Sequence, residues 1–411
     1  MDIISQFSDD LLIRILSLVP TSHALATSRL SKRWQFLWSL VPKLEYDDSS
    51  HGDDNYATFT HFVYRSLMSN KAPVLESLYL KLGHKCQAVD IGIWIDTAVA
   101  HRVRALTVDI LSSEKGPISL PSSMYTCETL ETLILWNCIR LDVPFSVRLP
   151  SLKIMELKDV DIGSLQRLLS GCPKLETLAV KQDNLDVALA LPSLLRLKMT
   201  NEGIAPKGSG FVIDAPSLVR LCIKDDVLYD FHRIEYMPQL EQAYVDMTCG
   251  ANHKFLKAFT CVRTLHLCLS FSEVLSPCGM IFHNLVLLEL STCAQGWWNL
   301  LTHMLQNSPK LKYLILTDEH ELDFPSIETP DCWKPPISVP NCFSYSLEDF
   351  EWDGYNGRRG DREIATYLVA HATRLKTAVF SPADSTRDDV GERYRMLQDL
   401  ASVATPQIFF E

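Results

Sequence analysis

The chain has 411 residues, and 47% of them are hydrophobic, which is enough apolar surface for a sizeable core. Its formal net charge of -11 at pH 7 argues against a general nucleic-acid binder and against binding to anionic membranes. Asp2, Asp9 and Asp10 interrupt the N-terminal apolar stretch, no segment is apolar over the length of a membrane span, and the 12 cysteines include no Cys-x-x-Cys pair. We therefore expect a protein with no signal peptide and with reduced thiols, in the cytoplasm or the nucleus.

The N-terminal region, about forty residues long, predicts three short helices. Ser8 precedes two acidic residues and an apolar run, which is typical of a helix N-cap, and Pro20 ends the helix that follows. Thr21 or Ser22 can cap a second helix that runs through Ala26.

A third helix is predicted to begin at Ser31, because Trp34, Leu37, Trp38 and Val41 follow at helical spacing. Three helices of this length make too small a core to be stable alone. Two interpretations follow: a docking module completed by a partner protein, or a helical cap on the elements that come next.

Ten copies of one phrase, leucine-x-x-leucine-x-leucine with conservative replacements, occupy most of the chain. From Leu130 to Leu311 the first positions are 22, 23, 19, 24, 22, 22, 23 and 26 residues apart, which is the period of a leucine-rich repeat. The second and third positions alternate like one face of a strand, and one repeat cannot bury that face alone. The copies begin at Leu75, Leu130, Leu152, Leu175, Leu194, Leu218, Leu240, Val262, Leu285 and Leu311.

Proline stands two residues before the first position in seven copies, where its fixed φ and missing N–H suit the bend into a strand. These prolines are Pro73, Pro150, Pro173, Pro192, Pro216, Pro238 and Pro309. Cys138 and Cys293 occupy the turn position of the repeat consensus, so we interpret them as structural residues and not as nucleophiles.

The repeat rhythm stops at Thr317, and an acidic, proline-rich stretch as far as Ser346 predicts an irregular connector. Strand-like phrases return at Leu347 and Leu375, with a helix predicted to start near Asp361 between them.

Sequence signatures of catalysis are absent: no G-x-S-x-G, H-E-x-x-H or phosphate-loop motif occurs. We interpret the acidic pair Asp225-Asp226 as a solvated loop. The sequence therefore predicts a non-enzymatic protein with no catalytic residue, no metal site and no cofactor.

The N-terminal helices resemble a plant F-box, through Phe7-Ser-Asp-Asp-Leu-Leu-Ile-Arg-Ile-Leu-Ser-Leu-Val-Pro20, Ala26-Thr-Ser-Arg-Leu-Ser-Lys-Arg-Trp34 and Leu37-Trp38. In that family the module docks on the Skp-family adaptor of a cullin-RING ubiquitin ligase. The resemblance implies that Leu11, Leu12, Ile15, Leu16 and Pro20 match the docking motif, and that Leu30, Trp34 and Trp38 form or flank the module's core. This chain has Phe7-Ser8 where the family usually has Leu-Pro, and Ser8 keeps the capping role.

The C-terminal region resembles the FBD module of plant F-box proteins, which usually follows leucine-rich repeats. The resemblance is carried by Trp333-Lys-Pro-Pro, Val339-Pro-Asn-Cys and Ser346-Leu-Glu-Asp-Phe-Glu-Trp-Asp-Gly-Tyr355. We therefore expect an α/β chain in which a leucine-rich-repeat solenoid is preceded by a three-helix F-box and followed by an FBD module. The predicted boundaries are 1–45 for the F-box, 46–74 for a linker helix region, 75–317 for the repeats, 318–346 for the connector and 347–411 for the FBD module.

A protein target is expected on the strands, because in a leucine-rich solenoid they line the concave face and the x positions point outward there. Mixed charges and apolar residues at these positions suit a protein surface better than nucleic acid. The predicted target-binding residues are Lys153, Glu156, Arg196, Lys198 and Arg220. The alternative is an inert face, with targets held by the FBD module or by loops.

The predicted function is that of a substrate-recognition subunit of an SCF-type (Skp-cullin-F-box) ubiquitin ligase. Its expected partners are a Skp-family adaptor, through it a cullin, and an unknown protein target, with no nucleic acid and no membrane. The alternatives are a hormone-like small-molecule sensor of the same general plan, and an interaction scaffold that does not act in a ligase.

Overall fold

The computed structural model describes residues 6–48, 56–113, 116–183, 187–202, 210–225, 231–235, 237–247, 256–269, 279–292, 297–317, 333–336, 338–382 and 407–410. The chain divides into two compact units, Met1–Gln182 and Asp183–Glu411.

The first unit begins with the three predicted helices, α1 (Asp9–Leu16), α2 (Thr21–Ala26) and α3 (Lys32–Trp38). Two of the predicted caps are confirmed: Ser8 accepts a hydrogen bond from the Leu11 backbone N–H at 3.4 Å, and Ser31 accepts one from that of Trp34 at 3.5 Å. The predicted cap of α2 is wrong, because Thr21 is already the first helical residue.

Thr21 instead joins the helices to the first strand, β1 (Lys43–Asp47), since its buried hydroxyl accepts a hydrogen bond from the Glu45 backbone N–H at 2.7 Å. Asn70, which follows α4, donates a hydrogen bond to the carbonyl of Val41, just before β1, at 2.8 Å. An unpaired strand edge invites association with other chains, and the F-box helices satisfy one donor of this edge.

Six parallel strands pair in sequence order in the first unit, each with the next one named. They are β1, β2 (Ser77–Leu82), β3 (Ala105–Ile110), β5 (Thr132–Asn137), β7 (Ile154–Lys158) and β9 (Thr177–Lys181). Short strands β4 (Ile118–Ser119), β6 (Ile139–Leu141) and β8 (Asp161–Ile162) form a second sheet. The helices of these repeats are α4 (Tyr56–Ser69), α5 (Ala88–Ala100) and α6 (Leu165–Ser170).

The second unit repeats this design with nine parallel strands. They are β11 (Arg196–Asn201), β13 (Arg220–Asp225), β15 (Gln242–Met247), β16 (Thr264–Leu269), β17 (Leu287–Ser291), β18 (Tyr313–Thr317), β19 (Asp349–Tyr355), β20 (Thr377–Pro382) and β21 (Gln407–Phe410). Strands β10 (Val187–Ala190), β12 (Gly210–Asp214) and β14 (Phe231–Ile234) form a separate small sheet. The helices are α7 (Trp297–Asn307), α8 (Asn341–Tyr345) and α9 (Arg359–His371).

Strand register follows the sequence repeat within both units. Leu133 of β5 pairs with Met155 of β7, and the same position in β7 pairs with Leu178 of β9. In the second unit Leu265 pairs with Ala243 on one side and with Leu288 on the other. These residues are buried, so each repeat stacks its apolar face on the next and the leucine-rich-repeat prediction is confirmed.

Two strands of the first unit have no counterpart among the ten predicted copies. Strand β3 follows Val103 in the phrase Val103-x-x-Leu106-x-Val108, and β1 follows Val41 in the same way. Both phrases begin with valine, as the predicted copy at Val262 does, and both strands pair with β2 in the standard register. Strand β1 also crosses the predicted F-box boundary at residue 45.

The FBD strands continue the sheet of the second unit. Phe350 and Trp352 of β19 pair with Leu314 and Leu316 of β18, so the FBD phrase occupies the repeat register. The register shifts between Asp353 and Tyr355, where Gly354 has a φ of 77°, a conformation that glycine adopts without strain.

Several predicted features fall outside the described residues. These are Cys293, Asp226 and the acidic part of the connector, including residues 318–323. The described end of the connector contains the short helix α8.

Candidate adaptor-binding and target-binding surfaces

The F-box helices enclose a small core of their own. It is formed by Leu12, Leu16, Ala24, Trp34, Leu37, Trp38 and Val41. Four of the eight residues predicted for adaptor binding therefore lie inside the module, namely Leu12, Leu16, Trp34 and Trp38. Their direct role is to hold the three helices together.

The other four predicted residues, Leu11, Ile15, Pro20 and Leu30, are exposed. Leu11 and Ile15 are each 42% exposed, and Leu30 is 68% exposed. Leu11 and Ile15 lie four residues apart and share one face of α1, next to the face that carries the buried Leu12 and Leu16.

Four further large apolar side chains are exposed in the same module and were not among the predicted adaptor-binding residues, namely Phe7, Leu18, Val19 and Phe36. Leu18 is 82% exposed and Phe36 is 54% exposed. The sequence could have indicated Leu18, because it follows Ile15 by three residues and so continues the helical spacing of Leu11 and Ile15. Phe36 lies between buried residues of α3, and only the packing of that helix shows which way it points.

A salt bridge braces this module. The Arg33 guanidinium lies 2.7 Å from the Asp9 carboxylate, and the pair joins α3 to the first turn of α1. Because both side chains are partly exposed, the pair contributes at most about 1 kcal/mol. The stability of the module therefore depends mainly on its apolar core.

The predicted target-binding residues divide between the two units. In the first unit Lys153 lies just before β7 and 3.2 Å from the Glu131 carboxylate, while Glu156 accepts a hydrogen bond from the Trp136 indole at 3.0 Å. In the second unit Arg196 and Lys198 lie on β11 and Arg220 on β13.

The structure places Arg196 and Arg220 side by side, because they are register partners on adjacent strands. Both are exposed, as is Lys198. The cationic groups of separate repeats thus form one local patch on the strand face of the second unit.

His266 is also an x-position residue of a repeat, and its neighbours on the strand face cover it. Its ring stacks on Tyr244, with 4.0 Å between the centroids, and its Nδ1 lies 3.1 Å from a carboxylate oxygen of Glu289. These neighbours leave it only 8% exposed. Its ring therefore holds Tyr244 and Glu289 in place and offers little surface to a target.

The predicted solvated acidic pair is wrong for Asp225. This residue ends β13, is buried, and accepts a hydrogen bond from the Asn201 amide at 3.1 Å. The contact joins the ends of adjacent strands β11 and β13. It therefore stabilises the repeats.

The buried thiols are poorly suited to nucleophilic chemistry. Burial raises the pKa of Cys172 and of Cys342 to about 12, so their reactive thiolate forms are scarce near neutral pH. Within the described ranges, no group of three or more His, Cys, Asp or Glu residues could hold a metal ion.

The described helices include none that is long and apolar enough to cross a membrane. A hollow of about 650 Å³ lies at the turns that enter the strands of the second unit, beside Glu241, Arg263 and Lys310. The small-molecule sensor alternative stays a prediction.

A helical module with exposed apolar side chains, followed by stacked strand-forming repeats, defines a protein built to bind other proteins. Three family models match the chain: the F-box domain at residues 4–46, the LRR repeats of the FBD-associated F-box protein At5g56370 at 91–242, and FBD at 334–380. Together they follow the order of the structural elements.

Full-length relatives agree with these matches. The chain is 56% identical to the Arabidopsis thaliana F-box/FBD/LRR-repeat protein At4g26340, over 98% of each chain. It is 42% identical to the F-box/FBD/LRR-repeat protein At5g56420 of the same plant, over 98% of this chain and 96% of the relative. It is also 40% identical to the FBD-associated F-box protein At5g56370, over 98% of this chain and 97% of that one. The chain belongs to the plant family of F-box/FBD/LRR-repeat proteins, whose F-box implies binding to a Skp-type adaptor and whose members are generally non-catalytic.

Proposed function

We propose that this chain is the target-recognising subunit of an SCF-type ubiquitin ligase. The F-box docks on a Skp-family adaptor and through it on a cullin, while the repeats hold a protein target. The chain performs no chemistry itself; it raises the effective concentration of the target near the ubiquitin donor.

The observation that carries this proposal is the division of apolar residues in the F-box. The module has a closed core, yet Leu11 and Ile15 remain exposed on one face of α1, and Leu18, Leu30 and Phe36 are exposed on the segments that follow. Several large apolar side chains exposed in one small module are typical of a surface that binds another protein. Leu11 and Ile15 are each 42% exposed, so burying their remaining surface against an adaptor supplies less than half of the about 1.5–3 kcal/mol gained by burying a fully exposed side chain.

The test is adaptor binding by the full chain carrying Leu11→Asp together with Ile15→Asp. Both side chains are exposed, so the module should stay folded, and the new carboxylates would be buried unpaired at the contact. We expect co-purification with a recombinant Skp-family adaptor to be lost while the far-UV circular dichroism spectrum is unchanged.

Met68→Asp is the control, because Met68 is an apolar residue of α4, outside the F-box, and at 61% it is more exposed than Leu11 or Ile15. It should bind the adaptor normally. Normal adaptor binding by the Leu11/Ile15 variant would refute the proposed docking surface.

A further inference from the structure

On the strand face of the second unit, positive charge is concentrated at one end and negative charge at the other, a separation that the composition does not suggest. On β11 and β13 the six outward positions contain four cations and no acid. They are Arg196, Lys198, Thr200, Arg220, Cys222 and Lys224. The whole chain has 50 acidic residues against 39 lysines and arginines, so this concentration runs against its overall balance.

Register makes the cations a single patch. Arg196 pairs with Arg220 across the two strands, Lys198 pairs with Cys222, and Thr200 pairs with Lys224. The Cys222 thiol interacts electrostatically with both Lys198 and Asp246. Asp246 of β15 is the register partner of Lys224 of β13, so the cationic patch ends where β15 begins.

The opposite charge dominates further along the same sheet. Strands β15 to β20, all within described ranges, have no lysine or arginine at their outward positions. On β19 these positions are Asp349, Glu351 and Asp353, of which Glu351 and Asp353 are exposed. The hydroxyl of Thr377 donates to Asp349.

Between the two ends lies a surface that is mostly uncharged. Tyr244 on β15 and Tyr313 on β18 are exposed, and Leu287 and Ile315 are partly exposed. Glu289 is held by the stacked His266. The centre can therefore contact apolar or aromatic side chains with little desolvation of charge.

We propose that this face binds an extended segment of the target that is acidic at one end, apolar or aromatic in the middle and basic at the other end. Its acidic end lies over β11 and β13, and its basic end lies over β19. This inference rests on the proposed function and names the chemistry of the recognised segment.

The dimensions suit such a segment. Six strand steps separate β11 from β19 in the sheet. At about 4.8 Å per step they span about 29 Å, and an extended peptide covers that distance with about nine residues. A polyanion such as duplex DNA fits poorly, because one end of it would meet the acidic strand β19.

The test uses two fluorescent ten-residue peptides of identical composition and zero net charge. One has three acidic residues, four apolar or aromatic residues and three basic residues in blocks, and the other alternates the same charges. The full chain should bind the block peptide at least tenfold more tightly in fluorescence anisotropy, with the difference shrinking at high salt.

Lys198→Glu with Arg220→Glu should weaken block-peptide binding about tenfold or more, because attraction becomes repulsion at two exposed positions. Glu351→Lys with Asp353→Lys should weaken it similarly at the other end. Lys257→Glu with Lys310→Glu is the matched control: both lysines are exposed in the second unit but lie outside its strands, so affinity should stay within about twofold.

Equal affinity for the two peptides would overturn the inference, as would an equal loss in the control variant. Tighter binding of a 12-base-pair DNA duplex than of the block peptide would also overturn it. Adaptor binding is measured on the same samples. If the chain binds the adaptor but does not prefer the block peptide, only this inference fails and the proposed function stands. If the chain prefers the block peptide but does not bind the adaptor, only the proposed docking on the adaptor is refuted.

Discussion

Trp352 provides a direct test of whether the FBD strands belong to the repeat core. It is only 2% exposed, and its ring lies edge-on to those of Tyr355, Trp297 and Phe350 at centroid separations of 5.1, 5.8 and 6.2 Å. Truncation of a buried tryptophan to alanine costs about 3–5 kcal/mol, and the loss of three aromatic contacts places Trp352→Ala in the upper half of that range.

Urea unfolding of the full chain, followed by far-UV circular dichroism, measures this cost. With an m-value of about 3 kcal/mol per molar urea, a loss of about 4 kcal/mol lowers the midpoint by about 1.3 M. Glu351→Ala is the control. Glu351 is next to Trp352 in the sequence but its side chain is exposed, so its truncation should change the free energy of unfolding by less than about 0.5 kcal/mol.

Hydrogen exchange locates the effect. Because β19 pairs in register with β18, the amides of both strands should lose protection in Trp352→Ala. Equal midpoints for the two variants would refute the reasoning. So would lost protection in β19 and β20 alone, because it would mean that the FBD strands fold independently of the repeats.

Three further predictions test the first unit and the buried thiols. Leu178→Ala should lower the free energy of unfolding by about 2–5 kcal/mol, whereas Lys181→Ala should change it by less than about 0.5 kcal/mol; equal denaturant midpoints would contradict the repeat register. Thr21→Val should cost about 1–3 kcal/mol, because it leaves a β1 backbone N–H without its acceptor, and exchange of that amide should accelerate. Burial raises the pKa of Cys172 and Cys342 to about 12, so between pH 9 and 12 the unfolded chain loses thiol protons that the folded chain keeps. The free energy of unfolding should therefore fall as the pH rises through this window, and less steeply when both residues are serine.

The position of the FBD module in the sheet bears on its role. Its phrases pair in the register of the preceding repeats, and its helix α9 contributes buried Ile364, Leu368 and Val369 to the same architecture. The module therefore extends the outward strand face, on which Glu351 and Asp353 complete the proposed polarity.

Periodicity in the sequence was sufficient for the main strands. An apolar residue at every second position fixes which side chains share a face, since successive side chains of a strand point to opposite sides. The caps at Ser8 and Ser31 were also predictable, because each depends on residues only three positions apart. Strands β1 and β3 were not predicted, although their phrases at Val41 and Val103 have the same spacing as the predicted copy that begins at Val262.

Tertiary structure alone decided what depends on residues distant in sequence. Leu11 and Leu12 are adjacent leucines, and only the packing of α1 against α3 leaves the first in solvent and buries the second. Thr21 was expected to cap a helix, but its hydroxyl meets Glu45 of a strand 24 residues away. Stacking of the repeats likewise places Arg196 beside Arg220 and leads to the burial of His266 between its neighbours. The repeat period determines that strands will stack, whereas the charges and rings that meet across the stack come from separate repeats, and their contacts form only when the chain is folded.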